Sequence, residues 1–216
     1  YAAHVYSGTF TFKDAVRLLR KRGRFMQEAV PAGNGAMIAI IGLSREQVLE
    51  ACAGAEDEGI VEPANFNCPG QIVISGEAKA VEKAASIALE LGAKRAVPLA
   101  VSAPFHCSLM APAAEKLKAE LEKTEINEMK VPVVANVNAE IVPSSGYVRE
   151  SLYKQVSSPV LWEDCVRTML GKGVDTFVEI GPGKVLSGFI KKIDRNARTL
   201  NVEDIASLEE ALRELA

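Results

Sequence analysis

The residue best suited to acid–base chemistry in this sequence is His106, in the segment Val101-Ser102-Ala103-Pro104-Phe105-His106-Cys107-Ser108-Leu109-Met110. A strand-like run ends just before the histidine and a helix-like run follows it, so the imidazole is expected at the junction of two elements. Histidine exchanges protons near neutral pH, and the only other histidine, His4, has an ordinary mixed setting. His106 is therefore a candidate general base. The residues alone favour the simpler alternative, that it caps or packs at a helix entrance.

Arg22 interrupts the apolar face of the first predicted helix, Lys13 to Val30. The apolar positions of that face have helical spacing and are Ala15, Leu18, Leu19, Phe25 and Met26. An arginine within such a face needs an anionic partner, because arginine is seldom buried unpaired. The pattern favours an internal salt bridge by about two to one over a bidentate contact with a substrate carboxylate. Both interpretations stay open at this point.

Two further segments give weaker signals. Gln155 precedes the Ser158-Pro159 break at a predicted helix end, where side-chain and backbone carbonyls can point into a cleft. The segment Gly181-Pro182-Gly183-Lys184 matches neither G-x-x-x-x-G-K-[ST] nor G-x-G-x-x-G. We interpret it as a tight turn from strand to helix with free N–H groups, and not as a phosphate loop.

The four cysteines have neither C-x-x-C spacing nor a cluster with histidine; they are Cys52, Cys68, Cys107 and Cys165. This pattern argues against a zinc site and a disulfide framework, and it predicts a reduced, cytoplasmic environment. The position of Cys107 beside His106 suggests a cysteine nucleophile. Adjacent side chains in a loop usually diverge, however, so we disfavour that mechanism.

The composition is that of an ordinary globular protein of 216 residues, with 48% hydrophobic and 25% charged residues. A net charge of −3 gives no support for nucleic-acid binding. No apolar run approaches the roughly 20 residues that a membrane helix needs. The chain starts at Tyr1 and runs straight into structured-looking sequence, so we expect that an N-terminal portion is missing.

The order of predicted elements divides this α/β chain into two parts. Residues 33–99 follow the order strand–helix–strand–strand–helix–strand, which is the split βαβ pattern of ferredoxin-like folds. The predicted strands there are 36–41, 61–67, 71–75 and 95–99, and the predicted helices are 44–53 and 77–91. Residues 1–32 and 100–216 form the other part, with strands 131–135 and 176–180 and helices 13–30, 113–123, 148–156, 160–170, 184–193 and 208–215.

Five segments together resemble the malonyl-CoA:acyl carrier protein transacylase family of bacterial fatty-acid synthesis. They begin at Arg22, Asn65, Pro104, Gln155 and Glu179 and read RGRFMQEA, NFNCPGQ, PFHCSLM, QVSSPV and EIGPGKVL. Each segment alone is a weak signal. Five in the right order and spacing are specific, and the resemblance covers essentially the whole chain, fading only after Ile193.

The resemblance implies an α/β-hydrolase-like large lobe, here partial, with an inserted ferredoxin-like small lobe. His106 would activate a serine and later protonate the leaving thiol, and Gln155 would orient the imidazole through a carbonyl. Arg22 would bind the malonyl carboxylate, Phe105 would fill the space that a branched extender unit needs, and Met26 would also contact the substrate. Malonyl-CoA and coenzyme A would be substrates and acyl carrier protein the partner, with no bound cofactor, metal, nucleic acid or membrane.

The chain departs from the family in one respect, because it contains no G-x-S-x-G, the elbow that carries the nucleophilic serine. A thioester hydrolase and a non-catalytic carrier-docking module therefore remain alternatives to malonyl transfer. Acyl carrier proteins are strongly acidic, so a docking site should be basic. The basic pairs predicted to form it are Lys94 with Arg95 and Lys191 with Lys192.

Overall fold

The computed structural model describes residues 1–31, 33–101 and 103–216, and its elements alternate as in an α/β protein. Ala32 and Ser102, which the predictions placed at the lobe boundary and before His106, lie outside the described residues. The α-helices are α1 (Ala2–Tyr6), α2 (Phe12–Ala29), α3 (Arg45–Ala53), α4 (Ala78–Glu90), α5 (Ala111–Glu122), α6 (Val148–Lys154), α7 (Trp162–Gly171), α8 (Val185–Ile193) and α9 (Ile205–Leu215). The strands are β1 (Gly35–Ile41), β2 (Val61–Cys68), β3 (Gln71–Glu77), β4 (Arg95–Pro98), β5 (Thr176–Ile180) and β6 (Arg198–Val202). None of the helices in the described ranges is long and apolar enough to cross a membrane.

An antiparallel four-stranded sheet in the order β2-β3-β1-β4 occupies the middle of the chain. The central strand β1 pairs with β3 and β4, so that Ile38 lies opposite Ile74 on one side and Pro98 on the other. Helices α3 and α4 share a core with the sheet through small side chains, because Ala51, Ala80, Ala84 and Ala88 are fully buried there. These elements agree with the predicted ones to within two residues at every end.

Helices α2, α5 and α6 enclose a second core. Thr11 starts α2 by accepting the Asp14 N–H at 3.1 Å, a helix cap of the usual kind. Met110 and Leu117 are completely buried in this core, and Phe105 packs against its edge. The core therefore contacts the chain on both sides of His106, at Phe105 before it and at Met110 after it.

A small parallel sheet follows near the end of the chain. β5 and β6 pair in parallel, with Val178 opposite Leu200. Helix α8 connects the two strands, and its Ile190 packs with Phe177 of β5. The predicted strand 176–180 is confirmed, whereas β6 and the short helix α1 were absent from the prediction.

The predicted strand 131–135 is wrong. Only Val134 forms an isolated antiparallel bridge there, with Ile141. Pro132 has no N–H to donate to a ladder, and the chain turns back at Ala139, whose φ is 57°. The two arms are therefore too short to build a sheet.

The predicted helix 160–170 begins later than expected, at Trp162. Val160 instead forms a parallel bridge with Asn65 of β2. Its N–H donates to the Ala64 carbonyl at 2.8 Å, and its carbonyl accepts the Phe66 N–H at 2.9 Å. The N–H and carbonyl of Val160 therefore bond to β2 of the antiparallel sheet and not within a helix.

Candidate active site

His106 lies where the loop after β4 enters a 3-10 turn, Ser108–Met110, that continues into α5. Its φ of 62° is left-handed, a conformation that a residue with a Cβ adopts only when its surroundings hold it. The imidazole Nδ1 lies 3.2 Å from the backbone carbonyl oxygen of Gln155. A carbonyl can only accept, so Nδ1 carries the hydrogen in this bond and Nε2 keeps a free lone pair. This is the tautomer that a general base requires.

The surroundings of His106 favour its neutral form. Burial lowers the pKa of the imidazole below its ordinary value, and the positive charge of Arg22 lowers it further. The backbone carbonyls of Gln155 and Ser158 act in the opposite direction, because they stabilise the protonated ring. The base is therefore unprotonated at neutral pH, yet the imidazolium that forms after proton transfer has two acceptors facing it.

Gln155 follows α6 as its C-terminal cap residue and contributes two different groups. Its backbone carbonyl faces His106, while its side-chain Nε2 donates to Oδ1 of Asn136 at 3.3 Å. The backbone carbonyl of Asn136 accepts the Leu161 N–H at 2.9 Å. Sequence reasoning selected Gln155 but missed Asn136 and the Ser158 carbonyl. Only the polar type of Asn136 within an apolar stretch could have indicated it, and a backbone carbonyl leaves no signal in the sequence.

Arg22 has no internal counter-ion among the described residues. Every salt bridge of the described chain involves other residues; its helix neighbours Lys21 and Arg24 pair with Glu120 and Glu28. The Nε of Arg22 is buried without a hydrogen-bond partner. Burial lowers the pKa of its guanidinium, which remains charged. The internal salt bridge that the sequence pattern favoured is therefore absent among the described residues, where the charge of Arg22 acts on His106 without an anionic partner.

The other two predicted substrate residues have different positions. Phe105 is half-buried and packs against both the α2–α5–α6 core and the small cluster formed by Met37, Ala39, Ala64 and Val73. Met26 is only 3% exposed and belongs to the α2–α5–α6 core. Phe105 thus stands at the junction of the two parts of the chain, next to the base. A contact of either residue with substrate stays a prediction.

The cysteines carry no sign of chemistry. All four are free and buried. Burial raises the pKa of the Cys107 thiol, and its Sγ donates a hydrogen bond to the Pro104 carbonyl at 3.1 Å. Cys107 is therefore a protonated, hydrogen-bonded thiol that is poorly suited to act as a nucleophile. No group of three or more metal-ligating side chains occurs within the described part of the chain.

The turn Gly181-Pro182-Gly183 uses its N–H groups internally. The Gly183 N–H donates to Glu203 at 2.9 Å, and the Glu179 carboxylate accepts the N–H groups of Leu186 and Ser187 at 3.1 and 2.7 Å. Carboxylates thus occupy the positions in which a phosphate loop would bind its ligand. This agrees with the interpretation of the segment as a tight turn, although its N–H groups are not free.

The two basic pairs approach the same end of the antiparallel sheet. Lys94, Arg95, Lys191 and Lys192 are all exposed. The Lys192 Nζ donates to the Gln71 side chain at 3.3 Å, and Gln71 pairs with Ile41 in the sheet. Ile41 pairs on its other side with Arg95. Lys192 and Arg95, about 100 positions apart in the sequence, therefore lie at the same end of the sheet. Lys94, Arg95, Lys191 and Lys192 are called the basic patch below.

The chain is similar to acyltransferases over nearly all of its length. A family model described as "Acyl transferase domain" matches residues 1–211. The malonyl CoA-acyl carrier protein transacylase of Bacillus subtilis is 50% identical over 216 residues, which are 100% of this chain and 68% of that protein. The crystal structure of the Clostridium perfringens transacylase has a TM-score of 0.94 and 51% identity, covering 98% of this chain and 66% of that one. A malonyl-transacylase solved in complex with a type II PKS acyl-carrier protein has a TM-score of 0.95 and 47% identity, and the match covers 97% of this chain and 68% of that one.

The chain spans about two thirds of the length of the relatives it matches. The family model covers far more than half of the chain, and the Bacillus subtilis and Clostridium perfringens relatives are 50% and 51% identical to it. The chain belongs to the acyl transferase domain family.

Proposed function

We propose that the protein is an [acyl-carrier-protein] S-malonyltransferase, which moves malonyl from malonyl-CoA to the thiol of acyl carrier protein and so supplies extender units for fatty-acid synthesis. The observation that carries this proposal is the Arg22 guanidinium, which has no ionic partner among the described residues and whose charge lowers the pKa of the buried His106. An acyltransferase for uncharged acyl groups has no use for a desolvated cation next to its base. A malonyl group brings a free carboxylate that fits it.

The reaction proceeds in two acyl transfers through a malonyl-serine ester. His106 Nε2 takes the proton of the serine hydroxyl as the oxygen attacks the thioester carbonyl. The resulting imidazolium, stabilised by the carbonyls of Gln155 and Ser158, returns the proton to the leaving thiolate of coenzyme A. In the second transfer the same base takes the proton of the carrier thiol as its sulfur attacks the ester carbonyl, and it then gives that proton to the serine oxygen as the C–O bond of the ester breaks. These 216 residues contain no G-x-S-x-G, so we assign the serine to sequence outside them.

Arg22 and Phe105 would select the substrate. The planar guanidinium offers parallel N–H groups to a carboxylate, and its buried position strengthens the pairing. Phe105, held between two clusters of buried side chains, would occupy the space that a branched extender unit's methyl group needs. Met26, one turn after Arg22 on α2 and only 3% exposed, would contact the substrate from the wall of the core.

We also assign the two parts of the chain to two lobes. Residues 33–99 would form a ferredoxin-like small lobe, which is supported by the antiparallel strand order β2-β3-β1-β4 with α3 and α4 in its core. Residues 1–32 and 100–216 would form part of an α/β-hydrolase-like large lobe. The parallel pairing of β5 and β6 with α8 between them supports this assignment.

The basic patch of Lys94, Arg95, Lys191 and Lys192 would bind acyl carrier protein. This is supported by the hydrogen bond from Lys192 to Gln71, which lies at the same end of the antiparallel sheet as Arg95. A relative of this chain has been solved with its acyl-carrier protein, and carriers of this type are acidic. The four free cysteines are compatible with a reduced, cytoplasmic location.

The proposal is tested in the complete enzyme by His106→Ala. Malonyl transfer from malonyl-CoA to the carrier should fall by about 10²-fold or more, because a general base contributes at least that much. Circular dichroism should be unchanged. Cys107→Ser is the matched control on the adjacent residue and should keep its transfer rate. A folded His106→Ala enzyme with near-normal transfer, or a Cys107→Ser enzyme without transfer, would contradict the proposed mechanism.

A further inference from the structure

The backbone at His106 has to be held in place, because its φ of 62° lies in the left-handed region. Two contacts hold the residues that follow it. The thiol of Cys107 donates to the Pro104 carbonyl at 3.1 Å, which is a local contact. The N–H of Ser108 donates to the carboxylate of Glu62 at 2.7 Å, and Glu62 lies on β2, 46 residues earlier in the chain. The second contact therefore ties the loop of the base to the antiparallel sheet.

Glu62 caps the start of the helical segment at Ser108, although it is distant from it in the sequence. Ser108 begins the 3-10 turn that continues into α5, and Cys107 at the cap position makes no side-chain capping bond. The Glu62 carboxylate takes over this function and accepts the N–H of Ser108. A carboxylate at a helix start is favoured both by the free N–H groups and by the helix dipole. The short distance is typical of a charge-assisted hydrogen bond.

The same strand also holds the acceptor of the imidazole. Ala64 and Phe66 bond both backbone groups of Val160, at 2.8 and 2.9 Å. Val160 directly follows the turn whose carbonyls, from Gln155 and Ser158, face His106. β2 thus fixes the base through the Glu62 side chain and fixes its acceptor through the backbone at Val160. The distance between Nδ1 and the Gln155 carbonyl depends on both.

We propose that Glu62 is a positioning residue for the acyl-transfer base. Its carboxylate bonds Ser108 and, through that N–H, keeps His106 in the left-handed conformation that turns Nδ1 toward Gln155. The inference rests on the proposed function for the identity of the reaction. The orientation of the imidazole can nevertheless be measured without turnover, so the two can fail separately.

The test compares Glu62→Ala with Glu62→Gln in the complete enzyme. Alanine removes the acceptor, so kcat for malonyl transfer should fall about 10- to 100-fold with little change in KM, as expected for a misplaced catalytic group. Glutamine keeps an oxygen that can accept the Ser108 N–H and should restore most of kcat. A loosened imidazole is better hydrated, so its pKa and the acid limb of the kcat/KM profile should move up in Glu62→Ala. Loss of the negative charge alone would move them down.

Asp204→Ala is the matched control, because Asp204 caps α9 with its carboxylate and accepts the Ser207 N–H at 2.8 Å. It should lower the melting temperature and leave kcat and the pH profile unchanged. An NMR titration of the His106 ring reads the imidazole pKa independently of activity, with His106→Gln used for assignment.

Three results would overturn the positioning role. These are wild-type kcat and ring titration in Glu62→Ala, a downward pKa shift in that variant, or a Glu62→Gln enzyme as impaired as Glu62→Ala. An upward ring pKa shift in Glu62→Ala together with no malonyl transfer by the unmodified enzyme would keep the positioning role and refute the proposed function.

Discussion

Replacing Arg22 with alanine should abolish the preference for malonyl over acetyl groups while leaving the fold intact. The structure supplies the reason, because no salt bridge of the described residues includes Arg22 and its Nε is buried without a partner. Within the described part of the chain, the guanidinium therefore forms no ion pair that the substitution could remove. Its charge is available for a substrate carboxylate, which in Arg22→Ala would be buried unpaired.

The expected loss follows from the cost of breaking a buried charged pair, which is about 3–5 kcal/mol. Since about 1.4 kcal/mol corresponds to a tenfold change, kcat/KM for malonyl-CoA should fall by roughly two to four decades. The acetyl group of acetyl-CoA has no free carboxylate, so its kcat/KM should fall much less, or even rise because His106 becomes a stronger base without the charge of Arg22. The measurement is the ratio of kcat/KM for malonyl-CoA to that for acetyl-CoA, in the unmodified enzyme and in the variant.

The same substitution should change the pH dependence of acetyl transfer. The charge of Arg22 lowers the pKa of His106, second only to burial. Without that charge the pKa of His106 should rise, so a larger fraction of the imidazole is protonated and inactive at a given acidic pH. The acid limb of kcat/KM for acetyl transfer should therefore move to higher pH in Arg22→Ala.

Lys21→Ala is the matched control, because Lys21 precedes Arg22 on α2 and forms a salt bridge with Glu120. It should lower the free energy of unfolding by about 1 kcal/mol or less, as expected for a partly exposed pair, and leave the malonyl-to-acetyl ratio unchanged. The reasoning about Arg22 is refuted if Arg22→Ala behaves in the same way, with a lower melting temperature and an unchanged ratio. Arg22 would then be a structural residue.

Two further predictions concern other parts of the molecule. Charge reversal at the basic patch, Lys94→Glu or Lys192→Glu, should raise KM for the carrier but not for malonyl-CoA, most strongly at low salt; equal effects on both substrates would exclude docking there. Burial lowers the pKa of His4 to about 4, so protonation favours the unfolded chain, and the free energy of unfolding should decrease as the pH falls from about 6.5 toward 4. The decrease in the free energy of unfolding, measured by urea titration, should be at most about 3 kcal/mol and should be smaller in His4→Leu. The same pH dependence of unfolding in both proteins would show that His4 does not contribute.

The antiparallel sheet was predictable because its signals are local. The Ser44 capping box, the turn at Cys68-Pro69-Gly70 and the small, regularly spaced alanines of α4 each specify an element from a few neighbouring residues. The strand predicted at 131–135 failed because pairing depends on residues elsewhere. Pro132 and the early turn at Ala139 leave that segment with a single bridge.

The types of residue in the site could be predicted from the sequence, but the ion pairs and hydrogen bonds that they form could not. His106 and Arg22 were singled out because each has a polar side chain in an unusual setting, whereas Gln155 gave only a weak signal and its role came from the family resemblance. The pattern at Arg22 favoured an internal salt bridge, and only the three-dimensional arrangement of the acidic residues excludes one among the described residues. Glu62 gave no signal at all, because a glutamate on a strand is ordinary until the N–H that it accepts is known.

The geometry also connects substrate recognition to the strength of the base under the proposed function. Arg22 lowers the pKa of His106 while its charge is uncompensated. A malonyl carboxylate that pairs with Arg22 cancels much of this field, so the pKa of His106 rises and the imidazole becomes a stronger base when the correct substrate is bound. An acetyl group leaves the field in place. Arg22, which has no ionic partner among the described residues, would thus favour malonyl twice, through binding and through proton transfer. Its removal is therefore expected to change the malonyl-to-acetyl ratio more than the loss of a binding contact alone would.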